Sequence, residues 1–98
     1  MEYLGSKNNT LFIGQAVEFP GTAMSNTLKN INKKKLIELP VAEDMQTGMT
    51  LGIAMDGNVP ISIFPRWNFL LYGISQLINH LDKFKIMCGD RIKPKFII

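Results

Sequence analysis

The chain has 98 residues, 46% of them hydrophobic and 19% charged, with a formal net charge of +3. That length holds one domain, and the composition excludes a disordered or collagen-like chain. One cysteine and one histidine exclude a disulfide framework and a Cys- or His-rich metal site.

No run reaches the roughly 18 apolar residues of a membrane span. The start, Met1-Glu2-Tyr3-Leu4-Gly5-Ser6, lacks the basic and apolar regions of a signal peptide. A reducing, cytoplasmic location with no membrane partner is therefore expected.

Thr10-Leu11-Phe12-Ile13, bounded by Asn8-Asn9 and Gly14, reads as a buried strand. Phe19-Pro20-Gly21 reads as a turn. Over residues 22–31, Met24, Leu28 and Ile31 recur at helical spacing, with Thr22 or Ser25 as the cap. Lys33-Lys34-Lys35 is expected to be a solvated loop, not a nucleic-acid patch. Leu36-Ile37-Glu38-Leu39 is a second strand, closed by Pro40. Glu43 and Asp44 then open a helix, where carboxylates suit the dipole. Met45, Met49 and Ile53 form its expected apolar face, and Gly48 and Gly52 are expected to let another element approach. Asp56-Gly57-Asn58 supplies the turn that ends it. Residues 59–64 form a third strand. The strongest helical pattern follows over residues 68–84, with Ile74, Leu77, Ile78, Leu81 and Phe84 in three- and four-residue steps. Cys88-Gly89-Asp90 stops it, and Lys95-Phe96-Ile97-Ile98 opens a fourth apolar run.

Short apolar strands alternating with helices predict an α/β fold. The expectation is a three-layer parallel sheet of about four strands with right-handed crossovers. Such sheets place ligands at the carboxyl ends of their strands. Three loops leave those ends, at residues 14–21, 40–44 and 64–68. The second offers carboxylates; the third offers an arginine, aromatics and an amide. Together they suit one half of a site for a flat, nitrogen-containing ring. Gly-rich nucleotide fingerprints, a phosphate loop and a serine nucleophile elbow are absent. His80 lies on the polar side of its helical pattern and reads as a surface residue.

From residue 38 to 89 the chain resembles a known family without a gap. Leu39-Pro40-Val41-Ala42-Glu43 stands where that family has a Thr-Pro-Ile-Ser-Glu-like strand end. Gly48 and Gly52 match its helix glycines, and Ala54-Met55-Asp56-Gly57 its helix end. Pro60 and Phe64 fit its next strand. Trp67-Asn68-Phe69 and Gln76-Leu77-Ile78-Asn79 fit two later segments, and residues 83–89 its Lys-to-Gly ending. Upstream, Leu11 to Val17 is similar to its first strand and acidic turn. The family is the pyrimidine-binding domain of thiamine diphosphate-dependent enzymes, in the transketolase-like group. The beta subunit of the decarboxylase component of 2-oxo acid dehydrogenases, such as pyruvate dehydrogenase, is the member it most resembles.

The resemblance implies that residues 1–98 form part of that domain, cut at both ends. It implies that Glu43 is catalytic, hydrogen-bonding a ring nitrogen of the cofactor's aminopyrimidine and exchanging a proton with it. Phe69 would pack on that ring, and Pro65, Arg66 and Trp67 would line the mouth. The cofactor is thiamine diphosphate. Its diphosphate and magnesium would sit on a partner domain or alpha subunit that carries Gly-Asp-Gly. Gly89-Asp90-Arg91 lacks the second glycine of that motif. A homo- or hetero-oligomer is therefore implied, without activity of this chain alone. Two departures stand out: Gln15 replaces an acidic residue, and Asp44 follows the glutamate where a small or apolar residue is usual. The alternative function is a catalytically inactive truncated relic, serving as a self-associating or partner-binding module.

Overall fold

The three apolar runs expected to be strands pair side by side in a computed structural model that describes Met1–Ile98. β1 (Thr10–Gly14) lies between β2 (Leu36–Glu38) and β3 (Val59–Ile63), and all pairings are parallel. Phe12 stands opposite Leu36 and Ile61; Gly14 stands opposite Glu38 and Ile63. The three strands therefore end level, at one carboxyl edge.

The fourth run contributes one bridge instead of a strand. Ile97 pairs in parallel with Ile61, with Ser62 N–H donating to Ile97 O at 2.8 Å and Ile97 N–H to Pro60 O at 3.0 Å. Pro94 has no N–H to give a ladder, which keeps the chain before Lys95 out of the sheet.

Helical pieces cover both faces. A one-turn helix, α1 (Glu2–Gly5), precedes β1. α2 (Ala23–Thr27) starts at a reciprocal cap between Thr22 and Ser25. It is shorter than the spacing suggests. Beyond it, Leu28 N–H bonds Ser25 O and Ile31 N–H bonds Leu28 O, so the three-residue spacing is met by successive tight turns. Leu28 and Ile31 still join Phe12, Val17, Ile61 and Ile63 in the core on that face.

The opposite face carries Ile13 and Ser62, by alternation along the strands. α3 (Glu43–Met55) packs there. Its buried side is Glu43, Gln46, Thr47, Thr50 and Ala54, whereas Met45 and Met49 turn outward. The expected apolar face is thus not the core face. The polar side is tolerated because its groups are bonded. Thr47 Oγ1 donates to Glu43 O and Thr50 Oγ1 to Gln46 O, each at 2.8 Å. Gln46 Nε2 donates to Ser62 Oγ at 2.9 Å and Ile63 O at 3.0 Å. Gly52 faces open space and Gly48 only grazes the Gln76 side chain, so neither makes the expected close approach within this chain.

The long helix expected over residues 68–84 is broken into three forms. Trp67–Gly73 is a 3-10 helix, Ile74–Gln76 a single α turn, and Leu77–Leu81 a wide π turn in which Asp82 N–H reaches Leu77 O. A 3-10 helix aligns every third residue, which buries Leu70 and Gly73 together. Ile74 and Ile78 are left exposed, and Leu77 and Phe84 are half-buried. A last helical turn spans Phe84–Met87.

The lysine run is only partly a solvated loop. Lys33 and Lys34 are exposed, but half-buried Lys35 sends its ammonium to Gly5 O, Lys7 O and Thr10 Oγ1, tying the turn before β1. No helix is long and apolar enough to cross a membrane.

Candidate functional site

Glu43 is the first residue of α3 and sits at the carboxyl edge of the sheet. Only 7% of it is exposed. Its Oε1 accepts a hydrogen bond from Gln15 Nε2 at 3.3 Å, and Oε2 bonds no protein donor and keeps access to solvent. Asp44 is exposed and accepts from Gln76 Nε2 at 3.4 Å, so the two neighbouring carboxylates have separate surroundings.

Gln15 owes its place to Gly14. At Gly14 φ is +153°, and a Cβ would lie 2.1 Å from Ile63 O. Only glycine allows β1 to end so close to β3. The loop that follows is held by Glu38 at the end of β2. Its Oε1 accepts from Ala16 N–H at 2.7 Å, and its Oε2 from Val17 N–H at 2.8 Å and Glu18 N–H at 2.9 Å. Sequence reading gave Glu38 no role. The one local signal was an acidic residue at the carboxyl end of a strand, beside a loop with no acidic residue at Gln15 or Ala16.

Gly73 brings the Trp67–Gly73 helix onto the first turn of α3. A Cβ there would lie 2.4 Å from Thr47 Oγ1 and 3.0 Å from Glu43 O. Phe69, on this helix, is half-buried, with the Arg66 guanidinium 5.8 Å from its ring centroid. Pro65, Arg66 and Trp67 are exposed, Trp67 at 82%. The fold thus puts Gln15 in contact with Glu43 and packs the helix bearing Phe69 on the same turn. Pro65 and Trp67 stand out in solvent. The surface cavities lie elsewhere, and none is lined by Glu43, Phe69, Pro65 or Trp67. No group of three or more His, Cys, Asp or Glu side chains is placed to hold a metal ion. His80 is exposed.

No family profile matches the chain. Individual proteins do. The chain is 28% identical, over 99% of its length, to the pyruvate dehydrogenase E1 component subunit beta of Cyanidium caldarium. It is 27% identical, over 93% of its length, to the protein of the same name from Rhizobium meliloti. Against the mitochondrial protein of that name from Homo sapiens, identity is 36% over 62% of the chain. The chain spans 31%, 20% and 17% of the length of these three relatives.

Proposed function

We infer that the chain is a family-level relative of the beta subunits of pyruvate dehydrogenase E1. On that premise we propose that it is the pyrimidine-binding part of a thiamine diphosphate-dependent 2-oxo acid dehydrogenase, decarboxylase or transketolase-like enzyme. The observation that carries this reading is Glu43. A carboxylate buried without a cation partner is costly. Here one oxygen is engaged by the neutral amide of Gln15, and the other bonds no protein donor and still reaches solvent, so it is open to a ligand. A ring nitrogen at Oε2 completes that set.

When bound, thiamine diphosphate supplies an aminopyrimidine, a thiazolium carbon acid and an electron sink. The chain's own residues do the rest. Gln15 fixes Oε1, so Glu43 holds or passes a proton at Oε2. Phe69 offers a flat face for an offset stack. Exposed Pro65, Arg66 and Trp67 form a rim that a partner closes. The resemblance puts the diphosphate and its magnesium on a Gly-Asp-Gly motif, and Gly89-Asp90-Arg91 lacks the second glycine of that motif. The diphosphate and metal are therefore assigned to a partner domain or alpha subunit.

The test is a titration of thiamine diphosphate and magnesium, with and without a chain carrying the diphosphate domain. Binding and turnover are expected only in the complex. Glu43→Gln is expected to lower turnover by about 100-fold or more. A Glu43→Gln complex as fast as the unaltered one refutes the assignment.

A second reading, a non-catalytic self-associating or partner-binding module, draws on exposed Met45, Met49, Leu71 and Ile78. The outer edge of β2 is also unpaired. A stable monomer by light scattering across a wide concentration range counts against self-association.

A further inference from the structure

We propose that Glu38 is a positioning residue, which locks the loop after β1 so that Gln15 presents its amide to Glu43. The proposal rests on the role given to Glu43 above. Glu38 closes β2 and stands opposite Gly14 in the sheet register. Its carboxylate reaches over the end of β1 and accepts from three consecutive N–H groups, those of Ala16, Val17 and Glu18. Successive amides turned to one point make an anion-binding concavity. Here the anion comes from within the chain. Hydrogen bonds to a charged acceptor are roughly twice as strong as neutral ones.

The loop needs such a hold. Ala16 has φ +55°, a left-handed conformation that costs a residue with a Cβ. No other side chain bonds the Ala16, Val17 or Glu18 amides. On the near side, Leu39 N–H bonds Gly14 O at 2.9 Å, so the loop is pinned at its root by the backbone next to Glu38. Gln15 lies between the two anchors, and its carboxamide meets Glu43 at 3.3 Å. Loss of Glu38 removes the acceptor for three amides, lets Ala16 relax and frees Gln15 from Glu43.

The test is NMR on the full chain. Glu38→Gln leaves one acceptor oxygen and no charge. Amide exchange at Ala16, Val17 and Glu18 is expected to rise about tenfold or more, while α3 and β3 keep theirs. A second readout separates positioning from general support. In the native background, Glu43→Gln is expected to shift the Gln15 carboxamide resonances. In the Glu38→Gln background that response is expected to collapse. Ala16→Gly added to Glu38→Gln is expected to restore part of the loop protection, because glycine takes the left-handed conformation without cost. Glu38→Asp keeps the charge but shortens its reach. It is expected to give an intermediate loss, and it serves where the amide variant does not fold. Native exchange rates in a folded Glu38 variant, or an undiminished Gln15 response to Glu43→Gln, overturn the proposal. Neither readout involves cofactor or partner. Failure of the catalytic role of Glu43 is seen separately, as full turnover of the Glu43→Gln complex.

Discussion

Glu43 shares its buried end of the sheet with the Gln15 amide, where the family resemblance leads one to expect an acid. The difference is chemical and testable. In Gln15→Glu two carboxylates meet at a contact that now measures 3.3 Å. Like charges so close make the native pair hold a proton that the unfolded chain has released. The native state then binds more protons than the unfolded state above about pH 4, so stability falls as pH rises. Urea unfolding of Gln15→Glu is expected to lose stability between about pH 4 and pH 7 relative to the parent. A parallel pH profile for the two proteins refutes a close contact. Gly14 sets that contact up. Gly14→Ala drives a Cβ into Ile63 O and is expected to cost about 2 kcal/mol or more, read from the urea midpoint. The Glu43–Gln15 pair was not legible in the sequence. It joins residues 28 apart through a sheet edge, and no local spacing encodes it. Resemblance, not periodicity, singled out Glu43.

α3 shows where reading by pattern fails. Its ends were legible, since Glu43-Asp44 starts it and Asp56-Gly57 stops it. Its orientation was not, because the apolar stripe of Met45 and Met49 faces outward and a bonded polar stripe faces the sheet. Hydropathy cannot anticipate hydroxyls that satisfy themselves on the helix backbone, or a glutamine that finds acceptors on β3. Gln46 is the critical member. It donates to Ser62 Oγ and Ile63 O, while its own Oε1 is buried without a partner. Gln46→Leu strips both acceptors of their donor and is expected to cost about 1–3 kcal/mol. Adding Ser62→Ala is expected to cost less than the sum of the two single changes, by about 0.5 kcal/mol or more. Strict additivity refutes the buried bond. Gly73 explains the other misread element. Pressed against Thr47 and the Glu43 carbonyl, it brings the 3-10 stretch close to α3, where a regular helix was expected.

For the whole molecule, the three strands were legible because each is a short apolar run closed by Gly, Pro or Asn. Their order was not, since pairing is non-local. Trp67 reports on what the molecule meets. It is the only tryptophan and is 82% exposed. Its emission is expected to move to shorter wavelength when a chain carrying the diphosphate domain is added with thiamine diphosphate and magnesium. Unchanged emission in a formed complex refutes a covered rim. The central place of β1 has a kinetic side as well. Phe12 must find Leu36 on one flank and Ile61 on the other. A chain emerging from the ribosome carries Thr10–Gly14 with both edges open until Leu36–Glu38 has been made, and with one edge open until Val59–Ile63 follows. Such long-range parallel pairing is slow to form, and open edges are templates for wrong partners. The nascent protein therefore passes through a stage in which its innermost strand is its most vulnerable one. Early contact with a chaperone or a partner chain serves it most during that interval.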